Sequence, residues 1–199
     1  MSNPPRIGVL GGTFDPIHNA HLELARAAQA QARLDKVLFV VAAQPPHKRG
    51  GVTAPAEDRL RLVQVALLGE PGMEACPLEL ERPGPSYTAD TLRELSKRHP
   101  GAEFFLILGL DALADLPGWR EPETILQHAR VLVASRPDQG DAIDPSLEGH
   151  YDFLEFPPND MSSTEVRARL QQGDPVADLL PAPVIEAIRE TGLYGAARA

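Results

Sequence analysis

The sequence contains a single cysteine, Cys76, among its 199 residues. An intrachain disulfide is therefore impossible, which suits a reducing compartment. No apolar run approaches the roughly 20 residues that a membrane-spanning helix needs. The first residues also lack the apolar stretch of a secretory signal peptide, so we expect none. These absences predict a cytoplasmic protein with no membrane partner.

Positive charge is also scarce. The chain has 19 Lys and Arg against 28 Asp and Glu, a formal net charge of −9. A broad nucleic-acid-binding surface must offset phosphate charge, so this balance argues against a nucleic-acid partner. It does not argue against binding a single nucleotide, because that needs only a local basic cluster.

Composition is otherwise that of an ordinary folded domain, with 43% apolar and 24% charged residues. The 20 prolines lie at plausible element boundaries, and there is no internal repeat. At this length we expect one domain over residues 1–199, with a helical C-terminal portion from about residue 160. Oligomeric state is left open.

Hydrophobic periodicity predicts alternating strands and helices. The predicted strands cover residues 7–10, 36–42, 73–81, 103–108, 130–135 and 151–156. The predicted helices begin at residue 20, cover 54–68, 89–97, 111–115 and 121–128, begin again near 163, and cover 183–191. Thr53 and Thr88 are predicted helix caps, and residues 137–150 a mobile loop. The order indicates an α/β protein with a Rossmann-like, doubly wound parallel sheet.

The chain is organised around residues 6–22. A short apolar strand leads to Gly11-Gly12, and His18 and His21 follow where a helix begins. Free N–H groups at a helix start bind phosphate, and two histidines three residues apart can donate to the same anion. Each feature alone also has a structural explanation, because glycine pairs often follow strands and a lone histidine often caps a helix.

A second helix start lies near the C-terminus. Ser162 to Glu165 fits a capping box, and Arg167 falls in the first turns of the predicted helix. Hydroxyl groups and an arginine at a helix start suit a phosphate group. The alternative is an ordinary capped surface helix.

Further polar residues follow predicted strands. Lys48 lies in a Pro- and Gly-rich loop, Arg136 follows a buried strand, and Gly109 precedes Asp111 at another strand end. Ligands bind at this edge of an open α/β sheet. Trp119, the only tryptophan, lies in a Pro-Gly turn. A solvated loop around Lys48 and core packing of Trp119 are the structural alternatives.

These stretches resemble the nucleotidylyltransferase superfamily. The segment from Gly11 to His21 is similar to its first signature, with Ala20 where glycine is usual. Ser162 to Arg167 resembles the second signature. The Ser86-Tyr87-Thr88 segment and Trp119 resemble features of bacterial nicotinate mononucleotide adenylyltransferases.

The resemblance implies roles for individual residues. It implies ATP binding by Gly11, Gly12, Thr13, Phe14, His18, His21, Gly109, Asp111, Ser162, Ser163, Thr164 and Arg167. It implies nicotinate mononucleotide binding by Thr13, Lys48, Tyr87, Thr88, Trp119 and Arg136. The implied catalytic residues are His18, His21, Lys48 and Arg167. Mg²⁺ is expected to bind through the phosphates of ATP, with no metal site of the protein itself.

The implied reaction joins ATP and nicotinate mononucleotide to give deamido-NAD and pyrophosphate. The residues agree, because no Cys-His or Ser-His-Asp nucleophile is evident and the attacking phosphate is already an anion. One alternative is phosphopantetheine adenylyltransferase, although those enzymes usually have Thr where this chain has His18. Another is a nucleotide-binding sensor without catalysis, which only Ala20 favours. A class I aminoacyl-tRNA synthetase shares a similar histidine pair but is far larger.

Overall fold

Strands and helices alternate along the chain in a computed structural model that describes residues 3–45, 52–135, 143–157 and 161–196. The strands in these ranges are β1 (Arg6–Gly12), β2 (Lys36–Val41), β3 (Met73–Cys76), β4 (Glu103–Gly109), β5 (Ala129–Ser135) and β6 (Tyr151–Glu155). The helices there are α1 (Asn19–Gln31), α2 (Ala56–Ala66), α3 (Thr88–Arg98), α4 (Leu110–Asp115), α5 (Pro122–His128), α6 (Ser163–Gln172) and α7 (Ala182–Thr191).

The strands form one parallel sheet in the order β3-β2-β1-β4-β5-β6. The strand order reverses between β1 and β4, since the chain builds outward from β1 in one direction and from β4 in the other. Ligands of open α/β sheets bind at the carboxyl ends of the strands beside such a reversal. The predicted Rossmann-like, doubly wound sheet is therefore confirmed.

Helices cover both faces of the sheet. One core cluster joins the apolar faces of α1, α2, α6 and α7 to the sheet, and the other joins α3, α4 and α5 to its opposite face. The side chains of β1 alternate between the two, with Leu10 in the first cluster and Val9 in the second. Burial on both faces explains why the strands read as continuous apolar runs.

The two C-terminal helices share a face of the sheet with α1 and α2. Val166 of α6 and Val184 of α7 are fully buried in that cluster, and α7 packs against α2. Gly192 ends α7 with a φ of 71°, the left-handed conformation expected of a glycine stop. That the whole chain forms one domain stays a prediction.

Several predicted boundaries are wrong. Thr53 does not cap α2, which begins at Ala56 after Pro55; the Thr53 N–H instead donates to Asp15. Thr88 is the first residue of α3, and Tyr87 occupies the cap position without a side-chain hydrogen bond. The third strand ends at Cys76 instead of residue 81. Of the predicted loop over 137–150, residues 137–142 lie outside the described residues, and the remainder contains a 3-10 turn, Pro145–Leu147.

None of the helices in the described ranges has the length and apolar character needed to cross a bilayer.

Candidate active site

A cavity of about 360 Å³ lies at the carboxyl ends of β1, β2 and β4. Strand side chains give it apolar walls, and the start of α3 and Trp119 complete it. Its lining residues are Val9, Gly11, Gly12, Thr13, Val40, Ala42, Pro45, Glu79, Ser86, Thr88, Thr91, Leu106, Leu108 and Trp119. Apolar walls with a few polar groups are typical of a small-molecule site.

The two glycines at the end of β1 lie within the strand and have different surroundings. A Cβ on Gly12 would come within 3.0 Å of the Phe14 ring, whereas a Cβ on Gly11 would meet nothing within 4 Å. The Phe14 ring is 1% exposed, and its residue has a φ of 48°. Gly12 therefore makes room for the phenylalanine, and Gly11 leaves the cavity open. Contact of Phe14 with ATP would have to come from its main chain.

The two histidines of the first signature stack at the start of α1. Their ring centroids are 3.7 Å apart, and the Phe14 ring meets His21 edge-on at 5.1 Å. His18 is the N-cap residue, and its main-chain N–H donates to Nδ1 of His21 at 3.2 Å. Because Nδ1 of His21 accepts this bond, a neutral His21 carries its proton on Nε2. The sequence correctly predicted that both rings share one face.

Both histidines favour the neutral form. Burial lowers the pKa of His18 to about 4, and burial together with the charge of His18 lowers the pKa of His21 well below its usual value. Nδ1 of His18 is buried and has no hydrogen-bond partner among the described residues. Unpaired buried groups of this kind are costly and call for an explanation such as function. An arriving phosphate would favour protonation of either ring.

The second signature contacts the first directly. Ser162 caps α6 by accepting from the Glu165 N–H at 3.2 Å, as the capping box predicted. The Ser163 hydroxyl donates to the Pro16 carbonyl at 3.0 Å, and Nη1 of Arg167 donates to the Asp15 carbonyl at 2.7 Å. The start of α6 and the loop before α1 therefore form one unit.

A buried charge cluster supports that loop. The Asp15 carboxylate, 1% exposed, accepts from the N–H groups of Thr53 at 2.7 Å and Ala54 at 3.1 Å. Arg59 is equally buried and donates to the carbonyls of Thr13 at 2.5 Å and Ala54 at 3.0 Å. Burial lowers the pKa of Arg59, and the negative charge of Asp15 opposes that shift.

Tyr194, in a 3-10 turn after α7, belongs to the same cluster. Burial raises the pKa of its phenol; the charge of Asp15 adds to the shift, while Arg59 and Arg167 oppose it. Its hydroxyl has no hydrogen-bond partner within the described ranges. The 3-10 turn that contains Tyr194 therefore lies close to Asp15 in the first signature.

The start of α3 forms the other side of the cavity. The Ser86 hydroxyl accepts from the main-chain N–H groups of Ala43 at 3.0 Å and Gln44 at 3.2 Å, which ties this turn to the end of β2. The Arg120 guanidinium lies 4.6 Å from the centre of the Tyr87 ring and pairs with Asp90 at 3.5 Å. The turn after Trp119 is therefore held against α3.

Gly109 and Asp111 lie where β4 passes into α4. Gly109 is the N-cap of α4, and a Cβ there would meet nothing within 4 Å. Asp111 is exposed in the first turn. The role predicted for these two residues, holding a ribose, stays a prediction.

Comparison with known proteins places this chain in a family. The cytidylyltransferase-like family model matches residues 9–169. A relative from Roseiflexus sp. (strain RS-1), named probable nicotinate-nucleotide adenylyltransferase, is 45% identical over 98% of this chain and 100% of its own. One of the same name from Gloeobacter violaceus is 41% identical over 95% of this chain and 96% of its own. The chain belongs to the nicotinate-nucleotide adenylyltransferase family.

A solved structure has the same fold as this chain. Plasmodium falciparum nicotinic acid mononucleotide adenylyltransferase, complexed with NaAD, has a TM-score of 0.77 and 21% identity. The match covers 96% of this chain and 98% of that one. At this identity the likeness supports the fold alone.

The structure brings the predicted site residues into two groups. Gly11, Gly12, Thr13, Thr88 and Trp119 line the cavity. The predicted phosphate-binding residues instead gather where the two signatures meet, outside the cavity lining; they are His18, His21, Ser162, Ser163, Thr164 and Arg167. Lys48 and Arg136 lie outside the described residues, so their predicted roles stay predictions.

The residues that support the site were not predicted from the sequence. The burial of Arg59 could have been predicted from helix spacing, because positions 59, 62, 63 and 66 form the buried stripe of α2. Glu79, Arg82 and Arg120 had no such signal, since charged residues near turns are normally exposed.

Proposed function

We propose that this protein transfers the adenylyl group of ATP to nicotinate mononucleotide, giving deamido-NAD and pyrophosphate. The observation that carries the proposal is the contact between the two signatures, Ser163 to Pro16 and Arg167 to Asp15, beside a cavity with an aromatic wall. The region where the two signatures meet suits a triphosphate, and the cavity suits a ring with an acidic substituent.

The triphosphate would lie at the starts of α1 and α6. Both helix N-termini present main-chain N–H groups with the positive end of the helix dipole. His18 and His21 would add imidazole N–H donors, and Arg167 a guanidinium fixed by Asp15 and Thr164. We assign these three side chains, with Lys48, to catalysis. Gly109 and Asp111 would hold the ribose of ATP.

The acceptor nucleotide would enter the cavity. The Trp119 ring is suited to stack on a cationic pyridinium, and the first N–H groups of α3, at Thr88, are suited to the nicotinate carboxylate. Thr13, which follows β1 and lines the cavity, would contact the acceptor phosphate. Lys48 and Arg136 complete the proposed acceptor site.

The reaction needs alignment more than proton transfer. An oxygen of the acceptor phosphate forms a bond to the α-phosphorus of ATP, and the bond from that phosphorus to the bridging oxygen breaks, releasing pyrophosphate. The attacking oxygen is already anionic, so no general base is required. The histidines and Arg167 would stabilise the charge that develops on the leaving group.

Mg²⁺ is proposed to arrive with ATP, bound through its phosphates. No group of three or more His, Cys, Asp or Glu side chains in the described ranges is arranged to hold a metal ion. Phosphate oxygens and water are ligands that suit this cation. It would neutralise charge on the pyrophosphate as that charge develops. We place the reaction in the cytoplasm, where ATP is available.

Pyrophosphate release from Mg-ATP tests the assignment, with nicotinate mononucleotide, nicotinamide mononucleotide and phosphopantetheine compared side by side. We expect a strong preference for the first. Preference for phosphopantetheine would contradict the roles given to Thr88 and Trp119. ATP binding without release would favour a sensor, the alternative that Ala20 suggests.

Replacing the histidines tests the catalytic assignment. His18→Ala and His21→Ala should each lower kcat on the order of a hundredfold or more, because each removes a donor to the developing charge. His150→Ala is the matched control, since His150 is exposed and lies before β6, away from the site. Unchanged rates in the first two variants would refute the assignment.

A further inference from the structure

A buried polar cluster lies directly behind the start of α3. Arg82 Nη2 donates to the Tyr87 carbonyl at 3.2 Å and to Oγ1 of Thr91 at 3.0 Å. The Thr91 hydroxyl in turn donates to the carboxylate of Glu79. Glu79 is 7% exposed and Thr91 2% exposed. The Glu79 carboxylate is therefore largely shielded from water and depends on its contacts with Thr91 and Arg82.

The cluster acts on one peptide group. The Tyr87 carbonyl also accepts from the Thr91 N–H at 3.1 Å, so two donors, one of them charged, converge on it. This carbonyl belongs to the same peptide unit as the Thr88 N–H, the first of α3. Donation to the oxygen polarises the unit and strengthens its N–H as a donor. That N–H has no partner within the helix, as is general at helix starts.

The same arginine also balances a negative charge in the cavity wall. Glu79 lines the cavity, where an unopposed carboxylate would repel an anionic ligand. Nη2 of Arg82 lies 3.8 Å from Oε1 of Glu79. At this distance, in a largely buried place, the pairing is only weakly screened by solvent.

We infer that Arg82 is a positioning residue that makes the site prefer an acidic ring substituent over its neutral amide. It acts through the Tyr87–Thr88 peptide and through Glu79, without contacting the substrate. A carboxylate gains from both effects, whereas a carboxamide is neutral and gains little from either. The inference rests on the proposed function, because it concerns the nicotinate end of the same acceptor.

Steady-state kinetics with the acid and the amide nucleotides test this. Arg82→Gln should lower kcat/KM for nicotinate mononucleotide at least about tenfold, mainly through KM, and change that for nicotinamide mononucleotide less than about threefold. Arg82→Lys, which keeps the charge, should fall between wild type and Arg82→Gln. Arg98→Gln is the control, because Arg98 lies at the far end of α3 and pairs only with Glu81 and Glu94 among the described residues.

Glu79→Gln gives a second test with the opposite sign. The amide can still accept from Thr91, and it removes the negative charge while Arg82 remains, so the preference for the acid should rise above that of wild type. This variant keeps the inference testable if Arg82→Gln does not fold.

Equal loss with both nucleotides in Arg82→Gln would show a merely structural role and overturn the inference. So would a preference that falls in Glu79→Gln. Failure of wild type to use nicotinate mononucleotide would refute the proposed function itself, and the two failures are therefore distinguishable.

Discussion

At the scale of single residues, the glycines that end β1 can be separated by experiment. Gly12→Ala should lower the free energy of unfolding by about 1–3 kcal/mol, because its Cβ would meet the buried Phe14 ring at 3.0 Å. Gly11→Ala should leave stability nearly unchanged and raise KM, because its methyl would point into the cavity. Urea unfolding and steady-state kinetics on both variants check this. A stable Gly12→Ala would show that the ring can move aside.

The neutral histidines predict a pH dependence of stability. Below pH 6.5 the unfolded chain binds protons at His18 and His21 that the folded chain does not, because burial lowers the pKa of His18 to about 4. The free energy of unfolding should therefore fall as pH drops from about 6.5 towards 4, by up to about 3 kcal/mol for His18 alone.

Carboxyl groups also titrate in this range, so the difference between variants is the measurement. His18→Asn should show a shallower dependence than wild type in urea unfolding without nucleotide. Parallel curves for His18→Asn and wild type would mean that His18 titrates normally in the folded protein.

Residue-level prediction from sequence succeeded where local spacing sets the geometry, as for the shared face of His18 and His21. The order Gly-Gly, Asp-Pro, His, His already implied a phosphate site, and the structure stacks the two rings together. It was weakest for supporting residues. The burial of Arg59 follows from helix spacing, but its hydrogen bond to the carbonyl of Thr13, 46 positions earlier, does not. A tertiary pairing of this kind has no local signal.

At the scale of elements, the observed capping role of Ser162 at the start of α6 can be separated by experiment from its proposed role in phosphate binding. Ser162 caps the helix, and we also propose that it binds phosphate. Ser162→Ala should lower the free energy of unfolding by about 1 kcal/mol, because the cap is lost. Ser162→Asp should retain stability, since aspartate caps equally well, but raise KM for ATP by charge repulsion. Thermal unfolding measures the stability of both variants, and titration with ATP measures their affinity. Unchanged ATP affinity in Ser162→Asp would mean that the triphosphate binds elsewhere.

The misplaced caps show why element boundaries were hard to predict. Thr53 and Thr88 both precede helical patterns and have good capping side chains, so local propensity favoured them. Thr53 instead donates its N–H to Asp15, and the Ser86 hydroxyl just before α3 accepts from the N–H groups of Ala43 and Gln44. Both turns are fixed by distant residues, and tertiary contacts override the local preference.

At the scale of the whole molecule, topology followed from the alternation of apolar strands and amphipathic helices. Continuous apolar runs such as 104–108 are buried on both faces, which only a sheet covered by helices on each side provides. The attachment of the C-terminal turn to the first signature could not be predicted in this way. It depends on Tyr194 reaching a charge cluster formed by residues more than a hundred positions away.

The attraction between the buried charges of Asp15 and Arg59 should therefore couple the site to overall stability, beside the ion pair of Asp15 with Arg167 at 3.9 Å. Arg59→Met should lower the free energy of unfolding by about 3 kcal/mol, because it leaves the carbonyls of Thr13 and Ala54 without their donor and removes a positive charge that favours the buried Asp15 carboxylate. Asp15→Asn should cost less, since the amide oxygen can still accept a main-chain N–H. The attraction between the two charges is lost in either single variant and can be lost only once, so the cost of the double variant should be smaller than the sum of the single costs. Urea unfolding of the four proteins gives the coupling energy. Additive costs would mean that the two charges are independently solvated, and that the loop before α1 is held by the hydrogen bonds of Asp15 alone.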